Sequence, residues 1–416
     1  MMMTPLLPAL PELVLRQRCG VIEFPVHHMR GGTSTGLVLH AAAVPPDPAL
    51  REELLRHLMG VPQSGQLPGN RQITGLGRGA PTSNKVFLAE VEQHAGQPRL
   101  VSTLAQLAGG HAAIDWSVNC GNMSSALQLW GLDCGVIEAL AIGAHAIDIR
   151  NTNTGAITTS RMRREPDGSF TAAGIPGVPG SFPRVDLFLQ QPVGAKTGKL
   201  LPTGNVQNVV HGYAVSCVDV AVPMVIAPAS QFGKTAQEAI RELEADAAFM
   251  AAIRQVWSAA GLLMGLRGRD GELMTLEELE RSETIPKFCI VGPAAGEGNI
   301  AVRYFTPQAG HASLAVSGGC CLAAACLIPG TVAHGLARGV QPVGEEDAEI
   351  AVGIANPAGI LDTTIVARRQ AATGDAGDTL AIGSAAYRRS AQILLRGHVP
   401  LYQASAALKA WLLKQI

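Results

Sequence analysis

The alternation of apolar and polar positions divides this chain into many short strands and a few helices. Apolar, β-branched runs bounded by glycine or polar turns predict strands over Val21–Val26, Leu37–Leu39, Val86–Ala89, Val136–Ile142, Ala146–Arg150, Ile157–Arg161 and Phe182–Leu189. Leu50, Leu54, Leu55 and Leu58 recur at helical spacing and predict an amphipathic helix over Asp47–Met59. After a break near Thr203-Gly204-Asn205 the pattern restarts. Tyr213–Ala227 alternates and opens a second sheet, Ala236–Leu266 reads as mostly helical, and Phe288–Val291, Ile300–Phe305, Ile365–Arg369 and Ala381 supply strands. Ala385–Leu395 reads as a final amphipathic helix closed by Gly397. Residues 1–20, with Pro5, Pro8 and Pro11, read as an extension without regular structure.

The turns carry the chemistry. Asn119-Cys120-Gly121-Asn122-Met123 precedes a Ser/Ala/Leu run and predicts a glycine turn launching a helix, capped by Asn122, Ser124 or Ser125. A thiol at such a position favours the thiolate and a neighbouring anion; a buried structural cysteine is the plainer alternative. Met29-Arg30-Gly31-Gly32-Thr33-Ser34-Thr35-Gly36 offers backbone N–H groups, three hydroxyls and one guanidinium, the makings of an anion nest or of an ordinary hairpin turn. Its spacing is not that of a P-loop. Gly75–Asn84 delivers Lys85 to a strand start, where a lysine is either solvated or, in a dry cleft, a usable base. Leu314-Ala315-Val316, Ser317-Gly318-Gly319-Cys320-Cys321 and Leu322–Leu327 repeat the order strand, small turn, cysteine and Ala-rich helix. Two such turns suggest two similar domains facing each other across a cleft.

Composition narrows the class. At 416 residues with 47% hydrophobic and 16% charged side chains, the chain expects two large cores and a quiet surface. A net charge of −1 argues against nucleic acid and anionic membranes as partners. The eight cysteines show no zinc spacing, and with no signal peptide evident they are expected to be free thiols in a reduced cytoplasmic setting. The uncharged stretch Leu314–Leu336 is interrupted by Gly318-Gly319 and Pro329-Gly330, so it is expected to be buried and not to span a membrane.

Taken together, the Met29–Gly36 turn, Thr82-Ser83-Asn84-Lys85, Asn119-Cys120-Gly121-Asn122, Thr203-Gly204-Asn205, His311 with Val316-Ser317-Gly318, and Ile328-Pro329-Gly330-Thr331 resemble the PrpF family, over about Val21 to Leu401. That family includes 2-methylaconitate cis-trans isomerase, 4-oxalomesaconate tautomerase and methylitaconate Δ-isomerase. The resemblance implies an α+β fold like that of diaminopimelate epimerase: two domains, each a curled sheet around a central helix. It places an N-terminal domain at 21–204, a C-terminal domain at 205–384, and a helix and tail at 385–416 packing back on the first. It implies proton-transfer isomerisation of a small unsaturated di- or tricarboxylate, without cofactor or metal. Residue by residue, it makes Lys85 and Cys120 catalytic. It places Arg30, Thr33, Ser34, Ser83, Asn84, Asn119, Gly121, Asn122, Met123, His311, Ser317 and Gly318 about the substrate, with Cys320 a second thiol by analogy with diaminopimelate epimerase. A homodimer is compatible with the sequence.

The chain departs from the family where Thr35 replaces a lysine, which changes the charge expected beside the substrate. It departs again where Asn84 stands directly before Lys85, and where Met123-Ser124-Ser125 opens the helix with more polar residues than usual. Two other readings stand beside the isomerase: a two-cysteine racemase using Cys120 and Cys320, and an accessory protein of an iron–sulfur dehydratase.

Overall fold

The structure is a computed structural model, and it describes residues 14–138, 141–268, 270–370 and 379–416. The described chain divides into two units. The first holds the residues up to 174 together with 178–187 and 389–416; the second holds 175–177 and 188–388.

In the first unit, Val21–Gly31 and Ser34–His40 form a hairpin closed by Gly32 and Thr33, with Gly31 opposite Ser34. Gly32 sits at φ +54°, a conformation that glycine adopts without steric cost. The chain then crosses over through a helix, Pro48–Met59. Asp47 caps its start by accepting the Leu50 N–H at 2.9 Å, and Gly60 ends it in the left-handed region. Lys85–His94 returns parallel to Ser34–His40, pairing Lys85 with Gly36, and turns back antiparallel into Gln97–Leu107. A second crossover carries the helices Gly121–Ser124 and Leu127–Asp133 to Gly143–Asn151, which pairs parallel with Leu100–Ser102 and antiparallel with Ile157–Arg164.

The two faces of this sheet differ. Leu37, Leu39, Val86 and Leu88 pack with Leu54, Leu55 and Leu58 of the Pro48–Met59 helix and with Leu408 and Leu412 of the Ala406–Leu413 helix. The alternate positions Ser34, Gly36, Val38 and His40 point the other way. The His40 ring lies 6.1 Å from that of Trp130, so this second face curls around the Leu127–Asp133 helix.

The second unit follows the same path. Tyr213–Val220 and Val222–Pro228 form a hairpin, and Lys287–Gly292 returns parallel to it after the Ala247–Leu263 helix. Ile300–Thr306 pairs antiparallel with Lys287–Gly292, the Val316–Leu327 helix crosses over, and Ala348–Asn356 and Gly359–Gln370 follow. Phe288, Ile290 and Val225 pack with Phe249, Ile253 and Trp257 on one face. On the other lies Val316–Leu327, apolar all round and buried from Gly318 to Leu327, as a central helix must be. The fold is thus α+β, each unit a curled sheet around a central helix, as expected.

Four expectations need correction. Ala385–Leu395 is not a helix; it lies within the strand Thr379–Pro400, paired first with Gly359–Gln370 and then with Val21–Gly31. Its alanines favour a helix intrinsically, but two strands with vacant edges offer it a full ladder of backbone bonds. The terminal helix is Ala406–Leu413, capped by Ser405. Val136–Glu138 is a bend and not a strand, and the part of that expected strand at 139–140 lies outside the described residues. Arg16–Arg18, inside the expected extension, pairs with Val21–Glu23. Finally, Leu314 and Ala315 form no strand: the helix begins at Val316, so Ser317, Gly318 and Gly319 are its first turn.

Candidate active site

In the first unit the Gly31–Ser34 turn rests against the start of the helix that follows Cys120. A Cβ on Gly31 would lie 2.6 Å from the Asn122 carbonyl oxygen, and one on Gly32 would lie 2.5 Å from Asn122 Oδ1, so two glycines are needed for this approach. Cys120 itself is the N-cap. Its backbone is extended, and its sulfur accepts the Met123 N–H at 3.5 Å. Asn122, Ser124 and Ser125 do not cap the turn: both serine hydroxyls donate back to carbonyls, Ser124 to Cys120 at 2.9 Å and Ser125 to Asn122 at 2.7 Å. Asn119 accepts the Cys120 N–H at 2.7 Å and so fixes the residue that carries the thiol. The Cys120 sulfur lies 3.9 Å from Ser34 Oγ and remains partly exposed. Gly121 is partly exposed beside it, whereas the Met123 side chain is wholly buried.

Arg30 does not lie on the Cys120 side of the hairpin. Arg30 pairs with Thr35 across the hairpin and points to the face away from Cys120. There it donates to the carbonyls of Gly32 at 2.9 Å and Ser390 at 3.0 Å and sits 4.6 Å over the Phe182 ring, and burial lowers its pKa. Thr35 shares that face, so its exchange for the family lysine falls away from the thiol. On the Cys120 side the arginine is Arg389. It is 7% exposed and donates through Nε to Asn122 Oδ1 at 2.8 Å. Asn122 in turn donates to Thr33 Oγ1 at 3.2 Å. Sequence reasoning missed Arg389 because it lay within the expected helix; strand alternation of Arg389 and Ala391 against Ser390 and Gln392 is the signal that finds it.

Lys85 starts its strand beside Gly36, on the face that carries Ser34. A Cβ on Gly36 would meet the Lys85 carbonyl oxygen at 2.4 Å and Lys85 Cβ at 3.0 Å. The lysine is 7% exposed, and its amine donates to Gln106 Oε1. Gln106 is held by donating to the carbonyls of Asn84 and Leu107, each at 3.0 Å. Asn84 is fully buried, and its amide exchanges two hydrogen bonds with Gln72 while also donating to Gly79. Ser83 lies in the short turn before it, partly buried.

His311, Ser317, Gly318 and Cys320 belong to the second unit. No side chain caps the Val316–Leu327 helix at Ala315, which leaves the N–H groups of its first turn, Ser317 and Gly318 among them, without a helical partner. The Tyr304 ring fills the space beside Gly318: a Cβ there would sit 2.4 Å from the ring and 3.1 Å from the hydroxyl. His311 stacks edge-on to Tyr304 at 5.9 Å and accepts the Ser313 N–H at 3.0 Å; burial holds its imidazole below its ordinary pKa. Cys320 is fully buried in that helix, whereas Cys120 is partly exposed. Among the described residues no three His, Cys, Asp or Glu side chains gather as metal ligands do, and no helix is long and apolar enough to cross a membrane.

The family model described as PrpF protein matches residues 21–402. A (4E)-oxalomesaconate Delta-isomerase of Novosphingobium sp. (strain KA1) is 32% identical over 379 residues, 90% of this chain and 96% of that protein. A 4-oxalomesaconate tautomerase of Pseudomonas putida is 32% identical over 321 residues, covering 76% and 83%. The crystal structure of a methylitaconate-delta-isomerase superposes with a TM-score of 0.74 at 26% identity, covering 92% of this chain and 98% of that one.

Proposed function

Because the chain belongs to the PrpF family, we propose that it is an isomerase that moves a C=C bond in a small unsaturated di- or tricarboxylate by proton transfer, with no cofactor. The observation that carries this reading is Lys85: a nearly buried amine, oriented by Gln106, on the sheet face that also presents Ser34 and, through it, Cys120.

An allylic C–H beside a carboxylate is weakly acidic. The Lys85 amine takes that proton, the C–H electron pair becomes a new C=C bond, and the charge spreads over a dienolate. Protonation at the far carbon of the allyl system completes the shift, so no atoms are gained or lost. Cys120 or the lysinium returns the proton. Donors must hold the dienolate meanwhile, and Arg389 with the Asn122 amide supplies charge and hydrogen bonds on this face. Ser34 and Thr33 add hydroxyls.

The test is proton NMR in D₂O with 4-oxalomesaconate, 2-methylaconitate and trans-aconitate. Isomer formation with deuterium incorporation is expected for at least one of them; inertness toward all three sinks the substrate class.

A further inference from the structure

Ahead of Lys85 in the chain, two side-chain amides are locked together. Gln72 Nε2 donates to Asn84 Oδ1 at 2.9 Å, and Asn84 Nδ2 donates to Gln72 Oε1 at 3.0 Å, closing a ring of two bonds. Gln72 is 1% exposed and Asn84 is wholly buried. Their other hydrogen bonds go to backbone: Gln72 donates to the Met59 carbonyl at 2.8 Å and accepts the Gly79 N–H at 2.7 Å, and Asn84 donates to the Gly79 carbonyl at 3.2 Å. Gln72 takes this place at φ +52°, a left-handed conformation that is unfavourable for a residue with a side chain and persists where the surroundings impose it. Asn70 helps to impose it, accepting the Gln72 N–H at 3.1 Å while donating to the carbonyls of Gly60 and Gly109. Gly77 leaves room for the pair, since a Cβ there would lie 1.9 Å from Gln72 Nε2.

The pair reaches the lysine through the Asn84 backbone. The Asn84 carbonyl accepts the Leu107 N–H at 2.9 Å and Gln106 Nε2 at 3.0 Å. Gln106 Nε2 thus faces two carbonyls, those of Asn84 and Leu107, which can only accept. Its Oε1 is therefore the atom presented to the Lys85 amine, and it engages one N–H of that amine. The direction of the remaining valences of the nitrogen follows from that bond. A buried polar network with its partners satisfied specifies one arrangement, which an apolar filling of the same volume does not.

We infer that Gln72 and Asn84 are positioning residues for Lys85, acting through Gln106 to hold its amine at the angle from which it removes the substrate proton. The inference rests on the isomerase reading for what Lys85 does.

The experiment compares the wild type with Gln72→Met and with Gly77→Ala, which keeps both amides but drives a methyl into that of Gln72. Competitive labelling with acetic anhydride, read by mass spectrometry, follows the Lys85 amine directly. Lys85 should label about threefold faster or more in both variants, as a loosened buried group does, with Lys287 of the second unit labelled at the wild-type rate. With whichever of 4-oxalomesaconate, 2-methylaconitate and trans-aconitate is turned over, Gln72→Met should lower kcat about tenfold and leave KM within about twofold. Gln106→Leu should lose a similar factor, and adding Gln72→Met to it should cost no more than about twofold further, because the pair acts through Gln106. A pair that merely stabilised the fold would multiply the two losses. Labelling of Lys85 at the wild-type rate in either folded variant, or multiplied losses in the double variant, would overturn the inference; if Gln72→Met does not fold, the labelling and kcat of Gly77→Ala decide. A wild type inert toward all three substrates refutes the isomerase reading instead, and the labelling then decides the placement of the amine by itself.

Discussion

Replacing Arg30 and Arg389 in turn separates scaffold from site. Arg30 holds two carbonyls and stacks on Phe182, so Arg30→Gln should cost about 2 kcal/mol of stability, read as a lower denaturation midpoint, with KM near the wild-type value. Arg389 holds Asn122 beside Cys120, so Arg389→Gln should lower kcat/KM about tenfold, and Arg389→Lys should recover part of the loss. The reverse pattern would return the binding role to Arg30. His28 offers a pH signature. Burial and the charge of Arg78 lower its pKa to about 4, against 6.5 ordinarily. The unfolded chain therefore takes up a proton before the folded one. Stability is unaffected above pH 6.5, falls as the pH drops toward 4, and is lower below that by roughly 3 kcal/mol. Melting curves at pH 7.5 and 4.5 should show this fall, and His28→Leu should remove part of it.

At the scale of elements, the hairpin turn and the strand that starts at Lys85 must lie in contact, and glycine permits it. Gly36→Ala would drive a methyl into the Lys85 carbonyl, a backbone atom that cannot swing aside. It should cost about 1–3 kcal/mol, as overpacking does, and lower kcat by displacing the lysine; differential scanning calorimetry and steady-state rates read the two effects. The elements most legible in the sequence were those with local signals. Asp47, four spaced leucines and Gly60 specify the Pro48–Met59 helix without help from the rest of the chain. The Tyr213–Ala227 alternation likewise appears as a hairpin, broken at Ala221. Ala385–Leu395 was misread because its fate is set by distant strands that no local pattern reveals, and Arg389 was lost with it. Arg30 is next to Thr33 and Ser34 in the sequence but faces away from Ser34, because a strand sends successive side chains to opposite faces.

At the scale of the molecule, the two units repeat one order of hairpin, crossover helix, lysine-led strand and central helix, of which the two glycine–cysteine turns show only the last part in the sequence. The repeat is one of path more than of detail. The helical run after Cys120 is broken into two short pieces, while its counterpart is one buried helix whose cysteines lie inside it. The chemistry therefore falls unevenly on the two units: a partly exposed thiol in the first, and a buried phenol and a half-buried lysine in the second. The central claim is that this chain moves a proton and that Lys85 moves it. Its most direct test is the time course of deuterium incorporation, followed by proton NMR in D₂O with the three unsaturated carboxylates, for the wild type and Lys85→Met. The account predicts exchange coupled to isomer formation in the wild type, and a rate lower by at least about a hundredfold in Lys85→Met, with circular dichroism and melting temperature preserved. Exchange by Lys85→Met at near-wild-type rates would contradict it.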